Sequence, residues 1–378
     1  MSRIYLDYNA TAPLTPRARA AMEPYLDLRG NPSSLHAEGR RARAAIDLAR
    51  ERIGALLRVQ PREIVFTASG SQSDTLGVVG LARALQKKGR HLICSAIEHP
   101  AVAQSMAFLE REGFSVSRVP VDRFGVLDLD SLERSLRPDT ALVSVLSASN
   151  EIGTRQPMRS IGRLCMERGV VFHVDAIQSA GKEELRFAEW GAAAASLAAH
   201  KFGGPLGAAL LYVRTGLPLD RIVFGGDQEG SRWAGTENVA AIVGMAEALT
   251  IAEEERESES VRQRELTERL WEGIADLSGI VRWGHPVERL PNTLAVSCPE
   301  LDGESLLIGL DLEGVAVSGG AACSSGALRP SPGLLALGAS EAQARSMVRF
   351  SLGKEIGPTD IEETITRFRK VFLEQKAR

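Results

Sequence analysis

REIVFTA at residues 62–68, HLICSAI at 91–97, ALVSVLS at 141–147, GVVFHVD at 169–175 and GAALLYV at 207–213 decide the fold of this chain. Each run is apolar at nearly every position rather than at every second one, the pattern of a strand buried on both faces. Helical spacing fills much of the sequence between them. Strands that alternate with helices build a mostly parallel sheet with helices on both sides, so the fold class is α/β.

Outward from this block, residues 36–57 and 74–88 carry helical spacing. In the second of these Val78, Leu81, Ala82 and Leu85 form an apolar stripe, and Lys87 and Lys88 suit its C-terminal end. From Ile251 the run IAEEERESESVRQRELTERLWEGI reads as a long charged helix with Val261, Leu266, Leu270 and Ile274 apolar, bridging two domains. LPNTLAVS and GVAVSGGAAC are strand-like, and an amphipathic helix closes the chain from about Thr359. The expected division is a large domain at 15–250 and a smaller α+β domain made of 1–14 and 251–378, which carries a Gly/Ser/Pro-rich loop at about 318–333.

A 378-residue chain suits two cores better than one. With 44% hydrophobic but only 5% aromatic residues, those cores must be built from Ala, Val, Leu and Ile. The 45 basic and 48 acidic residues are well mixed, which leaves no basic stripe for nucleic acid or a membrane surface. No segment approaches the roughly 20 apolar residues of a membrane span, and the N-terminus has no long apolar stretch. The expected location is the cytoplasm. Cys94, Cys165, Cys298 and Cys323 lie too far apart for a disulfide framework or paired metal ligands, which fits a reducing compartment and no metal site.

Four polar residues fall at or just beyond the C-terminal ends of strand-like runs: His99, Asn150, Asp175 and Lys201. That edge of an open α/β sheet is where ligands bind. Lys201 sits in the cramped segment AAHKFGGPLG, and Asp175 ends an apolar strand, where a carboxylate needs a cationic or hydrogen-bonding partner. A pyridinium nitrogen is such a partner, and a lysine can hold the aldehyde of the same cofactor as a Schiff base. Gln178 could reach the ring's phenolic oxygen. In FTASGSQSD, Gly70 permits close backbone approach and Ser71 offers a hydroxyl at a helix start, both suited to a phosphate. Cys323 lies in SGGAACSSGALRPSPG, too rich in Gly, Ser and Pro to be core, whereas the other cysteines have packing contexts. The planar fork of Arg349, in VRFSLG, suits a carboxylate of a substrate or of a salt bridge.

With these residues in place, the chain resembles the cysteine desulfurases of the nitrogen-fixation and iron-sulfur-assembly type, in the class V aminotransferase group. The likeness rests on ordered motifs over nearly the whole length, among them YLDYNATAP, GNPSSLHAEGR at Gly30 to Arg40, EHPAV, NEIGTRQP, HVDAIQS, HKFGGPLG, AGTENVAAIVG, AACSSGALRPS and VRFSLG. The resemblance implies the type I fold of pyridoxal 5'-phosphate-dependent transferases. It also implies that Lys201 carries the cofactor, Asp175 pairs with the ring nitrogen, Gln178 and Asn150 serve ring and substrate oxygens, and His99 stacks on the ring and handles protons. Gly70, Ser71 and His200 would hold the phosphate, and Thr236 would reach the phosphate of a neighbouring subunit, making a homodimer. Arg349, with Asn31 or Asn150, would bind the carboxylate of L-cysteine. Cys323 would take the sulfur as a persulfide for an acceptor such as an iron-sulfur scaffold protein.

Three departures accompany the likeness: Ala198 stands where relatives usually carry a serine, SGSQS replaces Gly-Ala-Thr-Glu-Ser, and GPLG replaces Gly-Pro-Lys-Gly. Ending at Arg378, the chain is also expected to lack the C-terminal extension by which some relatives dock a scaffold. Alternative readings of the same residues are a selenocysteine lyase, another class V aminotransferase in which Cys323 is incidental, or a sulfur carrier without catalysis.

Overall fold

The structure, a computed structural model, describes residues 3–319 and 329–377. The chain opens with a short strand, β1 (Ile4–Tyr5). Seven strands then form the main sheet: β2 (Ile64–Thr67), β3 (His91–Ser95), β4 (Ser115–Val119), β5 (Thr140–Leu146), β6 (Val171–Asp175), β7 (Ala194–Ala198) and β8 (Ala209–Val213). Five short strands follow: β9 (Val281–Trp283), β10 (Thr293–Ser297), β11 (Val315–Ala316), β12 (Ser318–Gly319) and β13 (Met347–Ser351).

The main sheet has the order β2-β8-β7-β6-β5-β3-β4. From β7 to β4 every pairing is parallel, while β8 runs antiparallel to both its neighbours. The reason is local. The segment 199–208 between β7 and β8 is shorter than the dozen or more residues a parallel crossover needs. Two strands of this sheet escape the five apolar runs. Alanine-rich β7 (AASLA) has weak strand preference, and β4 (SVSRV) is a partly exposed edge.

The helix expected at 36–57 spans Ala37–Leu57, with the His36 ring accepting from Gly39 N as its cap. The one expected at 74–88 is displaced. It begins at Gly70 under a Ser69 cap that accepts from Gln72 N, passes through a fully buried π-helical turn at Leu76–Gly80, and ends at Ala84. The Ser-Gly-Ser run is thus the cap and first turn of the helix rather than a loop before it. Lys87 and Lys88 fall in the turn beyond its end.

The long helix runs from Val239 to Glu272, about 51 Å at 1.5 Å per residue, and so starts well before Ile251. Its first half is buried on most sides and shows no polar face, which hides it from a search for amphipathic period. There Ala241, Ile242, Met245 and Leu249 join the core beneath the main sheet, which includes Ile46, Phe172 and Leu197. Further along, Leu266 and Leu270 join a second core with Ile4, Leu6, Val296, Phe350 and Phe368. Val261, expected in that stripe, is instead 59% exposed. An antiparallel sheet of order β12-β13-β10-β9 frames this second core, and β1 reaches it by pairing with β11. Among the described residues no helix is long and apolar enough to cross a membrane.

Truncating Leu270 to Ala should cost about 2–5 kcal/mol of stability, as for a buried leucine that leaves a cavity. Val261→Ala should stay within about 0.5 kcal/mol. Urea unfolding followed by circular dichroism checks both, and equal losses would contradict this assignment of faces.

Candidate active site

Parallel strands β3, β5, β6 and β7 all release the chain at one edge of the sheet, and the polar residues collect there. Asp175 is the last residue of β6. Lys201 ends a single 3-10 turn, Ala199–Lys201, directly after β7. His99 caps the helix Pro100–Arg111, its Nδ1 accepting from Ala101 N at 3.1 Å, so that in the neutral ring Nε2 carries the proton. These three line a cavity of about 200 Å³ together with Asn150 and Gln178. Gly70, Ser71 and His200 form the rest of its polar rim. Eight of the expected site residues are thereby brought to one place.

The Lys201 amine donates to two backbone carbonyls of the N-terminal segment, Asn9 O at 2.7 Å and Ala10 O at 2.9 Å. Burial, then the Arg349 charge, push its pKa down to about 8, against the pull of Asp175 and Asp7. An amine so placed is a ready nucleophile near neutral pH. His200 is pushed down to about 4, by burial first and then by Lys201 and Lys182, and its Nδ1 lies 3.1 Å from Thr11 Oγ1.

Asp175 is buried, and its Oδ1 accepts from Ile177 N at 3.0 Å. Burial raises its pKa, while His99, this backbone N–H and Lys201 lower it. His99 is moved the opposite way, lowered by burial and raised by Asp175. Behind them stands Asp74, fully buried, with neither carboxylate oxygen hydrogen-bonded among the described residues. Asp74, His99 and Asp175 bring a possible ligand atom each within 4.8 Å of one another. Burial and the nearby Asp175 raise the Asp74 pKa strongly; the Ser196 hydroxyl opposes this, although it is already bonded to His173 Nε2 at 3.0 Å. Two carboxyls this close and this dry cannot both ionise. Asp175, which alone of the two has a backbone N–H, is the one suited to the charge.

Arg349, on β13, lies against the cavity rather than in its lining. It donates to Asn150 O at 3.0 Å and pairs with Asp7 at 2.6 Å, and its buried Nε has no partner among the described residues. The guanidinium is thus engaged by a protein carboxylate and by the backbone of Asn150, which lines the cavity. Two expected residues are not gathered. Asn31 is exposed, its Oδ1 accepting from Ser33 N in a local turn, and Thr236 is exposed before the long helix. Neither lines this chain's cavity. Cys323 lies outside the described residues. Cys94, Cys165 and Cys298 are buried, and burial pushes each thiol up to about 12.

Several residues of the site were not singled out from sequence. Asn9 is a nearly completely buried junction: its side chain donates to Thr293 Oγ1 at 2.9 Å and Asn150 O at 3.2 Å, and accepts from Asn292 at 3.0 Å. Ser69 lines the cavity beside Gly70, its Oγ accepting from Gln72 N at 3.3 Å as the helix cap. Its signal was available, since a serine before a helix is a cap. Asp7, Asn9, Asp74 and Lys182 had no such local signal.

The chain belongs to the aminotransferase class-V family, whose model matches residues 4–363. It is 41% identical over 364 residues to the cysteine desulfurase IscS of Dictyoglomus turgidum, covering 96% of this chain and 92% of that one. A solved NifS-like protein superposes with a TM-score of 0.93 at 34% identity, covering 98% of this chain and all of the other. The structure of SspA in complex with cysteine matches at 0.80 and 34%, covering 92% and 98%.

Proteins of this family are pyridoxal phosphate enzymes. The residues present fit that group. A carboxylate faces an amine across one small cavity, and a helix begins at its rim with serine hydroxyls. At Gly70 a Cβ would come within 2.5 Å of Ile177 Cδ1 and 3.2 Å of Ala198 Cβ, so any larger residue requires the Ile177 side chain to move and narrows the pocket wall there.

In the cofactor-free protein, labelling of Lys201 by a small aldehyde with borohydride trapping should rise with pH to a plateau with a midpoint near 8. Peptide mass analysis reads this out. A midpoint near the ordinary lysine value of about 10.4 would contradict the buried, Arg349-facing amine.

Proposed function

We propose that the chain is a pyridoxal phosphate-dependent L-cysteine desulfurase that releases L-alanine and leaves the sulfur on Cys323 as a persulfide. The observation that carries this reading is the meeting of the Lys201 amine and the Asp175 carboxylate in one cavity, beside a guanidinium. Relatives named cysteine desulfurase and a matching structure that holds cysteine support it. The three described thiols are buried and held in their neutral form, which leaves Cys323 as the cysteine fit for nucleophilic work.

The division of labour follows from the residues. Lys201 would hold the cofactor by its aldehyde and, once the substrate amine has taken its place, remove the Cα proton on Nζ. Asp175 would face the ring nitrogen as the anion, and His99 would lie against the ring and carry protons on Nε2. Gln178 and Asn150 would serve ring and substrate oxygens. Gly70, Ser71 and His200, with Ser69, would hold the phosphate. Bound here, the cofactor supplies an electron sink for the pair released at Cα. Arg349, exchanging its bond to Asp7 for one to the substrate carboxylate, would orient L-cysteine, with Asn150 or Asn31 assisting.

The Cys323 thiolate then attacks the substrate sulfur. The carbon–sulfur bond breaks, its electron pair stays with carbon, and that carbon gains a proton to become the methyl group of alanine. In total, cysteine and one protein thiol give alanine and one protein persulfide. As a sulfurtransferase in the cytoplasm, the enzyme would pass this sulfur to an acceptor such as an iron-sulfur scaffold. We read residues 15–250 as the cofactor domain, and 1–14 with 251–378 as the smaller one that carries the thiol at about 318–333. The active unit would be a homodimer in which Thr236 serves the neighbouring subunit's phosphate, a role compatible with its exposure.

Incubation with L-cysteine should add one sulfur to Cys323 by mass analysis and release alanine. Cys323→Ala should lose at least a hundredfold in alanine release while retaining the visible cofactor absorbance. Cysteine turnover at the wild-type rate in that variant would overturn the reading. Ala198→Ser, restoring a hydroxyl to the apolar wall, should tighten cofactor binding about tenfold. Equilibrium titration of the cofactor-free protein measures it.

A further inference from the structure

Lys182 has no role in the chemistry above, yet it is a cation in an unusual position. Its Nζ donates to Gln178 O at 3.0 Å and to Gln178 Oε1 at 3.3 Å. Among the described residues it has no salt bridge, because the adjacent Glu183 turns to Arg155 at 3.0 Å. Burial first, and then the like charges of Lys201 and Arg349, bring its pKa down to about 7, with Glu183 opposing them. An ammonium held against like charges without a carboxylate is costly unless its hydrogen bonds matter.

Those bonds bear on one carboxamide. Gln178 is buried in the wall of the cavity, and its Nε2 donates to Asn9 O at 2.9 Å. A carboxamide has two N–H donors and one oxygen. With Oε1 on the ammonium and one N–H on Asn9 O, the second N–H is left for the cavity. A flipped amide would set its oxygen against the Asn9 carbonyl and, with Lys182 protonated, its N–H groups against the ammonium's own donors, so Asn9 and protonated Lys182 together exclude that orientation.

We propose that Lys182 is a positioning residue for the cofactor, locking the Gln178 carboxamide so that it presents an N–H donor to the ring oxygen. The inference rests on the reading of Gln178 as the partner of that oxygen. Its side chain also borders a separate cavity of about 430 Å³, between the N-terminal segment and the long helix, so shortening it leaves space that water can fill.

The test is a pH titration of the visible absorbance of the cofactor-loaded protein. Losing a donor to the ring oxygen should move the midpoint upward by roughly one pH unit. Gln178→Ala and Lys182→Met should each show this shift, Lys182→Arg should keep the wild-type midpoint, and Lys182→Met added to Gln178→Ala should produce little further change. If Lys182→Met does not fold, Lys182→Ala is read in its place. A Gln178→Ala midpoint equal to wild type would sink the Gln178 reading itself. If Gln178→Ala shifts but Lys182→Met does not, the inference alone fails. It also fails if the Lys182 effect persists undiminished without Gln178, since the charge would then act directly.

Discussion

The site depends on one backbone carbonyl. Asn9 O accepts from both Lys201 and Gln178, while the Asn9 side chain is tied to Thr293 on β10, to Asn292 and to the Asn150 carbonyl. Through this residue the N-terminal segment is fixed between the edge of the main sheet and the second core. Asp7 extends the same junction by pairing with Arg349 and bridging to Ser351 on β13. The groups expected to hold the cofactor come from the large sheet, and the guanidinium expected to hold substrate comes from the small one. The segment between them adds to the direct bond from Arg349 to the Asn150 carbonyl in fixing the two sets relative to each other.

Electrostatics then assigns roles within the cavity. Burial, and then the crowding of Lys201, Lys182 and Arg349 around few carboxylates, makes the two lysines unusually willing to lose a proton. Asp175 and Asp74 form a buried acidic pair with one obvious seat for a negative charge. A ring bearing a protonated nitrogen would complement the acidic pair, and the carboxylate of a bound substrate the basic cluster. The hydrophobic wall of Ile177, Ala198 and Ala209 gives the cavity its shape rather than its charge.

What the sequence disclosed follows from the range of the forces involved. The parallel strands were legible because burial on both faces leaves an unbroken apolar run, as in VFHVD. Asp175, Lys201 and His99 stood out because polar groups at the ends of such runs are exceptions that demand a reason. The start of the long helix was not legible, since Val239–Leu249 has no polar face to set a period. The π-helical turn was equally hidden, because it lies inside a continuous helix and LGVVG reads only as a buried apolar stretch. Asn9 and Lys182 were missed for a deeper reason. Their importance is conferred by partners far away in the chain, and Lys182 looks like any basic residue after a Gly turn. Arg349 shows the converse: sequence context proposed a carboxylate partner, and the fold supplied one from Asp7.

The placement of Asn9 also bears on how the protein is made. The segment at residues 4–9 is made well before its partners on β10, β11 and β13, which lie 284 residues or more further along the chain. At about 5–20 residues per second, those partners emerge tens of seconds later. The main sheet can collapse in the interval, but the Asn9 side chain gains Thr293, its tie to the second core, only after β10 has emerged. The carbonyl that Lys201 and Gln178 share is therefore locked from both sides only once the later strands have been made.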